Sequence, residues 1–295
     1  MTVTDVRQQT SNPDRAVPTR RMDFDEGLAQ IPKHFAGDGD LLFSHFWATF
    51  SATLPEGEEF FVRSVRHYRD QITDPVLKKQ VAGFIGQEAM HGRGHRAFNA
   101  RLAELGYPME RIERFQERIN SFQEKHSSPE VNLASTVVAE HFTALIAEMA
   151  MTDERVRSTF GHGAVRDIYM WHALEESEHK AVAFDVYRAV GGSERTRIWM
   201  MRIMRWTLFL MPLFTLISAL GDRAAWRPGT LRKSWKRFRR SPFFSKEFRA
   251  AVKDFERPDF HPDQRSTDHL LEDWRDRLFG DAGTLNDKLI GSRAA

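Results

Sequence analysis

Two Glu-x-x-His motifs, Glu88–His91 and Glu176–His179, lie about ninety residues apart in segments with the apolar periodicity of long helices. Residues three apart on a helix share one face, so each motif turns a carboxylate and an imidazole to the same side. Two single glutamates, Glu58 and Glu140, lie in other segments of helical pattern. Two Glu-x-x-His helices and two Glu helices together form the ligand set of a carboxylate-bridged dimetal site in a four-helix bundle.

The phase of the apolar residues selects which acids face the core. Glu58 is in phase with the apolar stripe of its helix, whereas its neighbour Glu59 is not. Glu88–His91, Glu140 and Glu176–His179 are in phase with their own stripes. Carboxylates on an apolar stripe are costly unless they are paired or bind a cation, and two metal ions would neutralise four of them. The four glutamates are therefore the candidate catalytic groups, and they are candidate metal ligands together with His91 and His179.

Other residues near the motifs have alternative roles. His172 lies one turn before Glu176 and is either a further ligand or a histidine behind the ligands. His95, His141 and Glu175 are candidates for holding the ligands in place. His141 lies about 100° round its helix from Glu140, which also fits a structural role. A substrate pocket is expected to be lined by aromatic residues, namely Phe61, Phe84, Phe142 and Trp171.

Composition limits the classes of site. The chain of 295 residues contains no cysteine, which excludes disulfides, thiolate metal sites and cysteine nucleophiles. Histidine and carboxylate ligands suit iron, with manganese or zinc as alternatives. A net charge of +2 carries no nucleic-acid signature, and no nucleic-acid partner is expected. The 28% charged residues and negative mean hydropathy indicate a soluble protein.

The segments between turn signals predict an all-α fold. A break is expected at Pro55–Gly57, and Pro75 after Asp74 begins a helix that stops at Gly106-Tyr107-Pro108. Glu110 to Lys125 has the pattern of a surface helix, and Ser127–Glu130 opens a helix that runs to about Met151. One further helix is expected from Gly163 to Val190. The predicted architecture is a four-helix bundle with extra helices.

The domain prediction has three parts: a disordered tail over 1–20, a dimetal-binding bundle over 21–192, and a C-terminal helical extension over 193–295. The extension begins with a hydrophobic helix, Arg195–Leu220, followed by a stretch from Arg223 to Arg257 with twelve basic and three acidic residues. Its interleaved aromatic residues suggest peripheral membrane contact through 195–257. A buried helix followed by a solvated basic face explains the same pattern. The polar N-terminus lacks the apolar core of a signal peptide, so the expected location is the cytoplasm. Contact of the protein with the inner face of the membrane is a further option.

The blocks around these motifs resemble the bacterial family of predicted metal-dependent hydrolases over roughly residues 20–280. Four blocks and a later segment carry the resemblance: Pro55–Arg66, Phe84–His91, Glu140–Ala144, Trp171–Tyr187 and the segment Arg257–Pro262. The ligand order, with a His-x-x-x-Glu-x-x-His end, is also similar to the ferritin-like di-iron arylamine N-oxygenases of the p-aminobenzoate N-oxygenase type. That similarity implies a ferritin-like bundle and seven iron ligands: Glu58, Glu88, His91, Glu140, His172, Glu176 and His179.

These patterns support three functional hypotheses. The first is a di-iron oxidoreductase or oxygenase that uses two iron ions, O₂ and a separate reductase on a small apolar or aromatic substrate. The second is a hydrolase in which two metals, zinc or manganese, activate a bridging water. The third is a non-catalytic bundle that binds metal or membrane. A homodimer is one option for the oligomeric state. The motif pattern does not identify the substrate.

Overall fold

The computed structural model describes residues 15–291, except for the side chains of residues 207–209. Within 15–291 the chain forms α-helices, short 3-10 helices and turns, and no strand. One isolated antiparallel bridge joins Met22 to Leu289, near the two ends of the described chain. The prediction of an all-α fold is confirmed.

Helices make up most of the described chain. In chain order they are α1 Asp25–Leu28, α2 Leu41–Arg66, α3 Pro75–Glu104, α4 Met109–His126, α5 Pro129–Thr152, α6 Glu154–Phe160, α7 Gly163–His179, α8 Val182–Ala189, α9 Glu194–Leu220, α10 Thr230–Phe238, α11 Lys246–Asp254 and α12 Asp268–Phe279. Short 3-10 helices lie at Arg69–Gln71, Arg223–Trp226, Pro242–Phe244, Pro262–Gln264 and Asn286–Lys288.

The four helices with the predicted ligands, α2, α3, α5 and α7, pack on one another. α2 packs on α3 and α5, and α7 packs on α5 and α3. Their starts follow local signals: Asp74 caps α3 by accepting from the amide of Val76, and Ser128 caps α5 by accepting from the amide of Val131. The ferritin-like form of the bundle stays a prediction.

α2 runs through Pro55, where a break was predicted. Proline has no N–H, so the carbonyl of Ser51 one turn earlier lacks its helical donor. Nδ2 of Asn99 on α3 donates to that carbonyl at 3.2 Å. A partner on the neighbouring helix therefore satisfies the group that the proline leaves free, and the helix continues to present Glu58.

The helix predicted over residues 163–190 is interrupted directly after His179. α7 ends there and α8 starts at Val182, although no glycine or proline marks the break. The side chain of Lys180 at the turn bonds to the carbonyl of Arg265 and, at 3.0 Å, to Oγ1 of Thr267. These contacts with the C-terminal region hold a turn that local pattern does not signal.

The N-terminal segment lies on the bundle. Of the tail predicted to be disordered, residues 1–14 are outside the described residues, whereas residues 15–20 run across α3. A Cβ at Gly83 would lie 2.2 Å from the carbonyl oxygen of Val17, and one at Gly86 2.1 Å from Oγ1 of Thr19. Glycine at these two positions therefore allows the segment to pack directly on the backbone of α3.

The C-terminal helices surround the bundle. α9 packs on α5 and α2, α10 on α2, α11 on α5, and α12 on α7. Two described helices, α5 and α9, could cross a membrane by length and composition alone. The apolar 18-residue window is 67% buried in α5 but 13% buried in α9. α5 is therefore a core helix, and the division of the chain at residue 192 stays a prediction.

Candidate metal centre

Seven side chains from α2, α3, α5 and α7 converge inside the bundle. All are buried, none more than 5% exposed. They are Glu58, Glu88, His91, Glu140, His172, Glu176 and His179. The apolar stripes that set the helical phase also direct these polar groups inward, because side chains at helical spacing share one face.

Two groups of three within this set have ligand atoms that lie within 4.8 Å of one another. The first consists of Glu58, His91 and His172. The second consists of Glu88, Glu176 and His179. Each group contains at least one carboxylate and one imidazole, which is a suitable donor set for a divalent cation.

Glu140 completes the second group. Its Oε2 lies 3.3 Å from Nε2 of His179, and the same nitrogen lies 3.2 Å from Oε1 of Glu88. Three glutamates from α3, α5 and α7 therefore surround one imidazole nitrogen.

Glu176 joins the two groups. Its Oε1 lies 2.9 Å from Nε2 of His172, 3.5 Å from Nε2 of His179 and 3.6 Å from Nδ1 of His91. One carboxylate oxygen therefore faces the free nitrogens of all three histidines. Glu176 would therefore reach both ions if each group of ligands held one.

Many polar atoms in the cluster are buried without a hydrogen-bond partner. Within the described part of the chain, both carboxylate oxygens of Glu58, Glu88 and Glu140 lack one. Nδ1 of His91 and Nε2 of His179 also lack one. Leaving so many buried acceptors unpaired is costly, whereas two cations would bind them all. The donor set therefore fits two metal ions.

The other ring nitrogen of each histidine is hydrogen-bonded to a neighbouring side chain. Nε2 of His91 donates to Glu175 at 3.0 Å, and Nδ1 of His179 donates to Oε1 of Gln87 at 2.8 Å. Such partners fix the tautomer and the ring orientation of a metal-binding histidine. His91 is thereby left to bind through Nδ1 and His179 through Nε2.

A hydrogen-bonded chain sets the tautomer of His172. The hydroxyl of Ser51 donates to Oδ1 of Asn99 at 2.6 Å, so it accepts the bond of 2.8 Å from Nδ1 of His95. Nε2 of His95 is then an acceptor for Nδ1 of His172, also at 2.8 Å. The free Nε2 lone pair of His172 consequently points at the carboxylate of Glu176. Two lone pairs that face each other are unfavourable, and a cation between them removes the repulsion.

An ionic network lies behind the histidines. Arg20 of the N-terminal segment forms two bonds of 2.8 Å with Glu178 and one of 3.0 Å with Glu175. Glu178 also accepts from Gln87 at 2.9 Å and from Arg275 at 2.7 Å. Through Glu175 and Gln87, the network reaches both His91 and His179.

Sequence reasoning missed Arg20, Gln87 and Arg275. Gln87 directly precedes the motif residue Glu88, which is a weak signal. Arg20 and Arg275 are 155 and 97 residues from their partners Glu175 and Glu178, and no local pattern indicates such contacts.

Burial sets the charge state of the metal-free cluster. It raises the pKa of Glu58, Glu88 and Glu140, as do neighbouring carboxylates, and the pKa of Glu140 rises to about 7. Burial also acts on Glu176, but His179 outweighs it and holds its pKa well below the usual range. Burial lowers the pKa of His179, yet Glu176 and Glu140 outweigh it and raise the pKa. His179 and Glu176 are therefore the ion pair of the metal-free cluster.

The remaining predicted residues lie in different surroundings. His95 and Glu175 bond to His172 and His91, as described above. His141 instead points toward the C-terminal region, where its Nε2 donates to the carbonyl of Ala251 at 3.1 Å. Its ring also packs against Phe255, with centroids 4.9 Å apart.

The predicted aromatic pocket residues mostly pack in the core. Phe84 and Trp171 are buried and meet His179 and His91, respectively, edge to face with ring centroids 5.0 Å apart. Phe142 is buried, and Phe61 is half-buried. Their contact with a substrate stays a prediction.

The fold and the cluster define an all-α protein with a buried carboxylate and histidine site of metal-binding type. Residues 18–266 match the model of a family described as predicted metal-dependent hydrolase, and the chain belongs to that family. Comparison with curated proteins and with solved structures found no match.

Proposed function

We propose that the protein is a hydrolase that depends on a pair of metal ions held by the seven buried side chains. The observation that carries the proposal is the set of unpaired carboxylate oxygens around three oriented imidazole nitrogens. The family description, which names a metal-dependent hydrolase, supports the class of reaction. A pair of divalent ions held there would supply a water of lowered pKa that can act as a nucleophile near neutral pH.

Glu58, His91 and His172 would hold one ion, and Glu88, Glu140 and His179 the other, with Glu176 between them. The helices keep these side chains in place before metal binds, so little reorganisation is needed. The apolar shell, with Phe84 and Trp171 against the imidazoles, excludes bulk water.

A series of hydrogen bonds leads from the candidate centre toward the surface. From Nδ1 of His172 the bonds continue through His95, Ser51 and Asn99, and Nδ2 of Asn99 donates to Oε1 of the half-buried Glu113 at 2.9 Å. These bonds hold the ring of His172 in its orientation, because each donor and acceptor of the series is fixed by the next.

The test begins with metal-free protein that is reloaded with zinc, manganese or ferrous iron. Metal content is measured together with hydrolysis of a panel of esters, amides and phosphoesters. We expect zinc or manganese to restore hydrolysis, and Glu140→Gln to abolish it. Glu148→Gln, two turns along the same helix and half-buried in an ion pair with Arg265, is the matched control. Metal-loaded protein that hydrolyses no member of the panel contradicts the proposal.

A second candidate, an O₂-activating di-iron oxidoreductase, is favoured by one specific observation. The ligand set contains four carboxylates and three imidazoles, all hard or borderline donors that stabilise the higher oxidation states of iron. A separate reductase would supply the electrons, and a small apolar or aromatic molecule would be the substrate. Oxygen uptake by ferrous-loaded protein, without hydrolysis by the zinc form, would establish this candidate instead.

A further inference from the structure

α9 exposes a long apolar stripe. Seven apolar side chains recur at alternating intervals of four and three residues, and each is between 38% and 74% exposed. They span about 32 Å along one face of the helix. An apolar surface of this extent marks a site of interaction. We call this surface the α9 stripe; it consists of Trp199, Ile203, Trp206, Leu210, Leu213, Ile217 and Leu220.

The opposite face of α9 is fixed on the bundle. Met201, Thr215 and Ala219 are fully buried against it. Arg197 is also fully buried, and its guanidinium bonds to the carbonyls of Phe255 and Arg257. Crossing a bilayer would strip these contacts from a buried charge, at a high cost. α9 therefore stays packed on the bundle, with the α9 stripe on the side that faces away from it.

A basic segment follows the stripe directly. Residues 223–245 contain eight arginines and lysines and no acidic residue. All eight are exposed, and Arg237 lies 3.6 Å from Asp40. The other seven form no ion pair with any acid among residues 15–291. The segment is continuous with the stripe, because the exposed Trp226 donates its indole N–H to the carbonyl of Leu220 at 3.0 Å.

We propose that the α9 stripe and the basic segment dock the protein on a membrane surface that contains anionic phospholipids. Apolar side chains on one face of a surface helix enter the headgroup and acyl boundary, where tryptophan is favoured. The adjacent unpaired cations are attracted to anionic headgroups. A second copy on the same face would cover the apolar stripe but would not by itself neutralise the adjacent cations, because residues 223–245 contain no acid.

The test is co-sedimentation of the full chain with vesicles of phosphatidylcholine alone or mixed with phosphatidylglycerol. We expect binding to the mixed vesicles, weakened by added salt. Trp199→Ser with Ile217→Ser should lower the partition coefficient about tenfold or more, and so should Arg232→Glu with Lys236→Glu. The four residues are exposed, so the bundle should fold, which circular dichroism checks.

Matched controls lie away from the patch. Ile290→Ser removes an apolar side chain that is 42% exposed, and Lys78→Glu with Lys79→Glu reverses two exposed charges at the start of α3. Both controls should bind like the wild type. Absence of binding to the mixed vesicles, or equal loss in the controls, overturns the proposal. A wild-type dimer that Trp199→Ser with Ile217→Ser makes monomeric, without vesicle binding, assigns the face to a second copy and also overturns it.

Discussion

Oε1 of Glu176 lies 2.9 Å from Nε2 of His172, one turn earlier on the same helix. The same oxygen faces His91 from α3 and His179 at the end of α7. A single carboxylate thus connects the two halves of the cluster, and its loss should affect both.

We therefore expect Glu176→Ala to lose both metal ions, whereas His172→Ala should lose mainly the one held with Glu58 and His91. Elemental analysis of the purified variants measures the metal content per chain. Glu148→Gln on α5 should bind as much metal as the wild type. Two ions bound by Glu176→Ala would show that this residue does not bridge them.

Replacing His95 tests whether its hydrogen bond holds the ring of His172 in the orientation that binds metal. His95→Phe removes the acceptor for Nδ1 of His172, so the ring can rotate and its binding nitrogen is no longer directed at the cluster. Loss of such a partner weakens metal affinity about 10–100-fold. Competition with a chelator measures the affinity. His126→Phe, at the exposed end of α4, is the control and should leave the affinity unchanged.

Arg20 should stabilise the fold and the centre together. Arg20→Gln leaves the buried carboxylates of Glu175 and Glu178 without their main cation, and we expect a loss of about 3 kcal/mol in the free energy of unfolding. Urea denaturation of the metal-free protein measures it.

An exposed ion pair provides the control for Arg20. Arg63 and Glu124 are 2.7 Å apart but partly exposed, so Arg63→Gln should cost at most about 1 kcal/mol. Equal losses in the two variants would mean that the network of Arg20 is no stronger than a surface pair.

Glu140 should make the metal-free protein less stable as pH rises from about 4.5 to about 7. In this range an unfolded chain has lost the proton of Glu140, whereas the folded chain keeps it, because burial and Glu176 raise its pKa to about 7. The folded state therefore binds more protons, and the free energy of unfolding falls by up to about 1.4 kcal/mol per pH unit for this group. Glu58 and Glu88 act in the same direction, whereas His91 and His95, whose pKa values are lowered by burial, act in the opposite direction.

Glu140→Gln should reduce this pH dependence, since the amide does not titrate. Urea denaturation of metal-free protein at several pH values compares the variant with the wild type and with Glu148→Gln. A Glu140→Gln variant with the same pH dependence as the wild type would contradict the raised pKa of Glu140. Metal-bound protein should show the opposite trend, because metal binding requires ionised carboxylates.

Much of the fold follows from local pattern. The starts of α3 and α5, the stop of α3 at Gly106 and the all-α class are visible in the sequence, because capping, proline and glycine effects act within a few residues. Helical phase also selects Glu58 over Glu59 as the inward-facing acid. The structure places Glu58 next to His91 and His172 inside the bundle.

The errors arise where a distant residue changes a local preference. Pro55 lies inside α2 because Asn99 bonds to the carbonyl that the proline leaves free. α7 ends at His179, where contacts of Lys180 with residues 265–267 hold the turn. Asn99 and residues 265–267 are far in sequence from the positions that they affect, so a local sequence pattern does not indicate these contacts.

The sequence by itself determined that the chain forms helices with Glu and His on their inner faces, since period and phase are properties of neighbouring residues. Only the tertiary structure decided that Glu176 meets three histidines, that Arg20 lies behind two of them, and that one face of α9 is left exposed. These features depend on hydrogen bonds and packing between residues far apart in the chain, and only the packed helices bring such residues into contact.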